Sequence, residues 1–344
     1  GLADLVQIAD WSWKIYNVDD LLEWNAAPTS PNHRVYLMKD LNMEGVEWIP
    51  KDFAGVFEGN DHKIYNFKIS RDGYCGFVAA LDGTIQNLYL GTSDGTTYDG
   101  ESEFTYVPKP KEEAEKWVHM GSVAASVNDG ALISNVTNFI KIHTPDSENY
   151  AKVCMGGLVS MGTGTAVIEN SVNRGDVVCD ASLGYVTGAS NHQLGGIMCK
   201  TDGKVTISNC KNYGNISAAG AYVDNVGGIM ANPNGNSTDK GENKTYIKGC
   251  YNYGNITITK TTSAKSPMAL GGIVGKLTGA TIEDCHNQGN ISSVCDVLTG
   301  IGGVVGIHAL AFESKVTGCS NGVQNATDKG TLTFAPEAGT QQMV

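Results

Sequence analysis

The residues able to do acid–base, nucleophilic or metal chemistry are few in this chain, and their spacing brings none of them together. A glycoside hydrolase needs two carboxylates converging across a groove, and a polysaccharide lyase needs a base, commonly Arg or Lys, often beside calcium. The adjacent pair Asp19 and Asp20 lies in NVDDLLEWNAA (17–27), which reads as a helix start that attracts acids anyway. Glu169 and Glu283 share one repeat position but stand three repeats apart, and Arg174 has no counterpart. The histidines His33, His62, His119, His143, His192, His286 and His308 show no ligand spacing, and no HExxH is present. Residues 232–243, NPNGNSTDKGEN, alternate oxygens at Asn232, Asn234 and Asn236 and add Asp239 and Glu242. They miss the EF-hand order and its sixth-place glycine, so they read as a polar surface loop. Nine cysteines include no CxxC pair. The expectation is no metal, no cofactor and no enzyme.

Composition narrows the partners. The 344 residues carry a formal charge of −12 with no basic block. That argues against nucleic acid, which needs a Lys/Arg footprint, and against an anionic membrane surface. No apolar run of about 18 residues suits a membrane-spanning helix. The start lacks a basic stretch followed by an apolar one, so any signal or anchor segment is expected to have been removed. Glycine is frequent (43), proline scarce (9) and charged residues only 17%, a profile of strands and tight turns.

The elements that would position any site come from an internal repeat. Residues 207–216 read ISNCKNYGNI, 247–256 IKGCYNYGNI, 282–291 IEDCHNQGNI and 168–177 IENSVNRGDV. Weaker copies begin at Ile64, Ile85, Ile133 and Val316, which makes eight. A glycine-led strand precedes each, from Gly55 and Gly76 through the pairs Gly156-Gly157, Gly195-Gly196, Gly227-Gly228, Gly271-Gly272 and Gly302-Gly303. Such units, with insertions of variable length at one point, fit an all-β, right-handed, single-stranded parallel β-helix of three strands per coil and about eight coils.

Two columns of the alignment look buried: the isoleucines, and three places on Phe67, Leu88, Val136, Ser171, Cys210, Cys250, Cys285 and Cys319. In a straight strand, positions three apart face opposite sides. The chain must therefore bend between them, at Asn66, Asn87, Asn135, Asn170, Asn209, Gly249, Asp284 and Gly318, types that tolerate a left-handed backbone. The column cysteines read as buried free thiols. Two residues on, Asn138, Asn173, Asn212, Asn252, Asn287 and Asn321 read as stacked structural asparagines. Residues 1–52 are expected to form an N-terminal helix-and-strand cap, with Leu21, Leu22 and Trp24 as its apolar side, 53–334 the repeats and 335–344 a tail.

Residues 48–69, WIPKDFAGVFEGNDHKIYNFKI, resemble the opening of the GLUG-motif repeat proteins. Trp48, Pro50, Phe53, Gly55, Phe57, Gly59, Asn60, His62, Ile64 and Asn66 match its pattern, with Asp61 in place of the usual glycine. The later GGIVG…TIEDCHNQGNIS units are similar to the same proteins, over roughly 15–330. The resemblance implies export by gut anaerobes or cell-wall-bearing bacteria, and a role as an adhesin or as a repeat accessory to immunoglobulin-cleaving proteases.

Two features could recognise a partner. Tyr213 and Tyr253 share a column on successive coils, flanked by Arg174 and Gln288, and could offer a flat surface to a sugar or simply stack laterally. The insertion 91–118 carries seven acids, three lysines, Tyr98, Phe104, Tyr106 and Trp117, and could be a binding loop or a packed lid. The expected function is a secreted or cell-surface protein binding a polysaccharide or a host surface protein, with a structural spacer as one alternative and a β-helix lyase or hydrolase as another.

Overall fold

Every copy of the repeat breaks at a residue in the left-handed conformation. The computed structural model describes residues 11–183, 192–220, 222–233, 244–259, 268–295, 299–309, 313–322, 332–334 and 342–343. In it φ is +56° at Asn87, +53° at Asn135, +50° at Asn170, +52° at Asn209, +64° at Gly249, +50° at Asp284 and +67° at Gly318. This corner lets the chain bury both the isoleucine before it and the residue after it. Ile85, Ile133, Ile168, Ile207, Ile247 and Ile282 stack as parallel partners with no exposed surface, and Cys210, Cys250 and Cys285 are buried beyond the bend. Each buried isoleucine stabilises the solenoid by about 2–3 kcal/mol. Val316, at 45% exposed, and the partly exposed Cys319 end the two columns.

Strands of successive coils pair in parallel, and the described residues form a parallel β-helix with four long sheets instead of the expected three. The first sheet carries the isoleucine and asparagine segments on either side of the left-handed corner. The second holds strands such as Lys141–Thr144, Val177–Cys179 and Ile216–Ala218. The third holds Lys152–Gly156, His192–Gly195 and Val223–Gly227, and the fourth Val159–Thr163, Met198–Asp202 and Met230–Asn232. The double glycine accounts for the extra sheet. It is an arch between the third and fourth sheets, and not the start of one strand.

The copy at Ile64 belongs in a different register from the one expected. Phe57 pairs with Ile85, whereas Ile64 pairs with Leu90, with a register shift between Glu58 and His62. Asn60 (φ +50°) and Asp61 (φ +59°) widen this corner, which displaces the alignment read from Ile64.

The asparagine column runs through the interior. Asn138, Asn173, Asn212, Asn252 and Asn287 have no exposed surface. Each Nδ2 donates to Oδ1 of the next, at 2.9, 2.9, 2.9 and 2.8 Å, and Asn287 donates to Asn321 at 2.8 Å. Each Nδ2 also donates to the carbonyl two residues on, for example Asn212 to Gly214 at 2.9 Å. Buried amides satisfied in this way avoid their desolvation penalty.

The N-terminal end is closed by the helix Val18–Ala26, whose cap Asn17 accepts from the Asp20 N–H at 2.8 Å. Leu21 and Trp24 are fully buried, while Leu22 is 36% exposed and leaves the expected apolar side. Trp24 packs edge-on to Phe53 at 5.3 Å between ring centroids, and Trp48 stacks on Phe77 at 5.5 Å. Strands Ser12–Ile15 and Arg34–Leu37 extend the first sheet over this plug. The GLUG-like residues build the same end. A Cβ on Gly55 would fall 2.4 Å from the His33 carbonyl oxygen, and His62 Nδ1 lies 2.9 Å from Asp40 Oδ1. Of the expected 335–344 tail, only Gln342–Met343 lies among the described residues.

Candidate functional site

The residue after Asn173, Asn212, Asn252 and Asn287 lies on the outer side of the first sheet, held by a recurring backbone bond. Arg174 N–H donates to the Asn138 carbonyl at 2.7 Å, Tyr213 to Asn173 at 2.7 Å, Tyr253 to Asn212 at 2.7 Å and Gln288 to Asn252 at 2.8 Å. Their planar side chains then stack along the solenoid axis. The Arg174 guanidinium lies 4.1 Å from the Tyr213 ring centroid, and the Tyr213 and Tyr253 rings are 4.6 Å apart and 15° from parallel. Tyr251 lies beside Tyr253 at 5.9 Å and contacts His286 at 5.1 Å. Arg174 is exposed, and the tyrosines and Gln288 are half-buried.

This geometry changes what the column can offer. Both faces of Tyr213 are occupied, one by Arg174 and one by Tyr253, so the flat surface expected from sequence is not free for a sugar ring. What faces solvent is ring edges and hydroxyls. Burial, followed by the neighbouring Tyr213 and Tyr251, raises the Tyr253 phenol above its ordinary value, so it remains a hydrogen-bond donor at neutral pH. Two residues further on runs an exposed polar row, in which Asn215 N–H donates to Asp176 Oδ1 (2.9 Å), Asn255 to Asn215 (3.0 Å) and Asn290 to Asn255 (3.0 Å). Together the two rows form a periodic strip of donors and acceptors.

The 91–118 segment does not behave as one loop. Glu103–Tyr106 is a strand of the second sheet and Trp117–Met120 a strand of the third. Phe104 and Tyr106 therefore point into the core and are buried, with Phe104 edge-on to Phe67 at 5.0 Å. They cannot touch a ligand, because the alternation of the strand turns both inward. Tyr98 is 44% exposed, and its hydroxyl donates to the Ser102 carbonyl at 2.8 Å. Trp117 is half-buried beneath the ammonium groups of Lys200 and Lys152, 4.5 and 5.1 Å from its ring centroid. Residues 234–243 of the oxygen-rich loop lie outside the described residues.

One cluster escaped the sequence reading. His143 Nδ1 lies 2.8 Å from Glu103 Oε1 and its Nε2 3.4 Å from Asp180 Oδ2, while Lys141 Nζ is 3.7 Å from Glu103. The members come from three coils of the second sheet, so no local spacing announces them. His143 lies between the two carboxylates, each ring nitrogen facing one acid oxygen.

Residues 266–292 match the family model described as the GLUG motif. The chain carries a GLUG repeat. The matched stretch spans the strand Met268–Gly271, the glycine arch, the left-handed Asp284, Cys285 and the ladder residue Asn287, so the motif encodes one turn of the scaffold. No curated protein is significantly similar in sequence to this chain. Among solved structures, it resembles a Bacteroides ovatus protein provisionally described as an immunoglobulin A1 protease, with a TM-score of 0.57 at 18% identity over 94% of this chain and 84% of that one. The likeness is one of fold. No helix among the described residues is long and apolar enough to cross a membrane.

Proposed function

We propose that this GLUG-repeat chain is an exported, surface-displayed adhesion module that binds a glycan or a host surface protein along its side, and that it is not itself an enzyme. The solenoid is read as right-handed, the hand that parallel crossovers almost always adopt, with about one coil for each of the eight sequence copies. The observation that carries the proposal is the strip formed by Arg174, Tyr213, Tyr253 and Gln288 beside Asp176, Asn215, Asn255 and Asn290. Repeating donors and acceptors on a rigid lattice suit an extended partner such as a polysaccharide. The tyrosine hydroxyls and Arg174 supply donors, and the row of amides supplies both kinds of group. A glycan and host-matrix array with the whole chain tests this reading. Reproducible binding that is lost in a Tyr213→Ala, Tyr253→Ala double variant supports it. Binding that survives there and vanishes on shortening 91–102 moves the site to the Tyr98 loop. An array with no binding favours a spacer that carries another module.

A further inference from the structure

The arch between the third and fourth sheets encloses a second, smaller apolar cluster. Cys154, in the strand Lys152–Gly156 of the third sheet, meets Cys199, in the strand Met198–Asp202 of the fourth sheet one coil on, together with Ala231. Both thiols are fully buried within this one cluster. Cys199 Sγ donates to the Gln193 carbonyl at 3.4 Å. His119 is the neighbour of Cys154 on the preceding coil, and its Nδ1 lies 2.8 Å from Ser160 Oγ. Ser160 Oγ in turn donates to the Cys154 carbonyl at 2.9 Å. The half-buried Trp117 indole packs over the pair.

This arrangement differs from the core column of Cys210, Cys250, Cys285 and Cys319. Those thiols lie side by side on one ladder, and each donates to the carbonyl two residues back, at 3.4, 3.4, 3.3 and 3.5 Å. Parallel neighbours on one sheet are poorly directed for a disulfide. Cys154 and Cys199 instead approach from two different sheets. Their acidities also separate. Burial raises Cys154, but the nearby Cys199, His119 and Lys200 outweigh it and hold the thiol well below its ordinary value. Burial, then the neighbouring Cys154, pushes Cys199 well above it. The surroundings thus favour ionisation at Cys154 over Cys199.

We propose that Cys154 and Cys199 form a redox-active dithiol that closes to a disulfide by exchange with an external disulfide, tying the third and fourth sheets of consecutive coils together. The Cys154 thiolate attacks one sulfur of the external disulfide, forms a mixed disulfide and releases one thiol after proton uptake. Cys199 then loses its proton and attacks Cys154 Sγ, expelling the second thiol. Two electrons and two hydrogens pass from the protein to the external disulfide, which leaves as two thiols. Trp117 controls access.

The whole folded chain is incubated with oxidised glutathione, its remaining thiols are alkylated in denaturant, and its peptides are mapped by mass. The expected product joins the Cys154 and Cys199 peptides, two hydrogens lighter, while Cys210, Cys250 and Cys285 are alkylated. Trp117→Ala speeds closure by about tenfold, since thiol reactivity follows exposure, and Cys154→Ser leaves Cys199 alkylated. Alkylation of both Cys154 and Cys199 after oxidation overturns the proposal, as does glutathione that stays on Cys154 undisplaced. If Cys154→Ser does not fold, the map of the unsubstituted protein decides alone.

Discussion

A Cβ on Gly157 would fall 2.5 Å from Cγ of Asn173. The second glycine of the arch and the buried asparagine of the same coil therefore meet across the interior, and each requires the other. The contact recurs at Gly196 with Asn212 (2.5 Å), Gly228 with Asn252 (2.4 Å) and Gly272 with Asn287 (2.4 Å). A backbone without a side chain makes room for a carboxamide, and the carboxamide then bonds along the axis. This pairing explains why the double glycine and the NxG motif travel together in every well-formed copy.

Gly196→Ala is expected to destabilise the solenoid by about 2–3 kcal/mol, the cost of overpacking a tight core. The added methyl also meets the Gly228 carbonyl oxygen at 2.0 Å, and backbone cannot move aside as a flexible side chain would. Urea unfolding measures this. A midpoint unchanged from the parent protein would show the arch to be looser than its contacts imply.

Asn212→Ala interrupts the ladder in its middle. It removes the acceptor of Asn173 Nδ2 and of the Gly214 N–H, and the donor to Asn252 Oδ1. Stranding buried polar groups costs on the order of 1–3 kcal/mol each, so a loss of about 3 kcal/mol is expected. Asn212→Asp should be worse at neutral pH than in acid, because a buried carboxylate is relieved by protonation. Equal stability of the Asp variant at both pH values would count against a dry ladder.

Much of this scaffold is legible in the sequence because each position in the repeat does one physical job in every coil. The residues at Asn87, Asn135, Asn170, Asn209, Gly249, Asp284 and Gly318 differ in type yet share tolerance of positive φ, and the alignment picks them out. What the alignment hides is geometry between coils. Asn60 and Asp61 add residues to a corner, which displaces Ile64 from its column. The segment EFTY was read as insertion because its length conceals its alternation, so Phe104 and Tyr106 looked like surface. The cluster of Glu103, His143 and Asp180 and the pair Cys154 and Cys199 exist only after the chain has wound, since their members lie 37–45 residues apart.

Buried His192 should make stability depend on mild acid. Its Nδ1 accepts from the Val153 N–H at 2.9 Å, and burial lowers its pKa to about 4 from the ordinary 6.5. Between those values the unfolded chain binds a proton that the folded one refuses. Stability is therefore complete above 6.5 and falls as pH drops towards 4, by about 3 kcal/mol in all. Unfolding free energy measured across that window should lose this slope in His192→Gln. A slope unchanged in the variant would assign the effect to other groups.

Phe104 and Tyr98, two of the aromatic residues of 91–106, should separate in stability. Phe104→Ala removes a fully buried ring packed on Phe67 and is expected to cost about 3–5 kcal/mol. Tyr98→Ala loses one hydrogen bond at an exposed site and should cost about 1 kcal/mol. Thermal unfolding of the two variants distinguishes a strand from a lid, since a lid would give similar, small losses.

The outer column makes a sharper demand on any ligand-binding experiment than alanine variants do. Because Arg174 and Tyr253 cover the two faces of Tyr213, a partner can reach only edges and hydroxyls. A Tyr213→Phe, Tyr253→Phe double variant keeps the stack, the packing and the exposed apolar area, and deletes only the hydroxyls. If the strip recognises its partner by hydrogen bonding, this variant should lose about tenfold or more in affinity, since each hydrogen bond contributes about 0.5–1.5 kcal/mol. Far-ultraviolet circular dichroism and the urea midpoint should stay unchanged. Full binding by the Phe variant alongside loss in the Ala variant would point instead to contact with the apolar ring edges of Tyr213 and Tyr253.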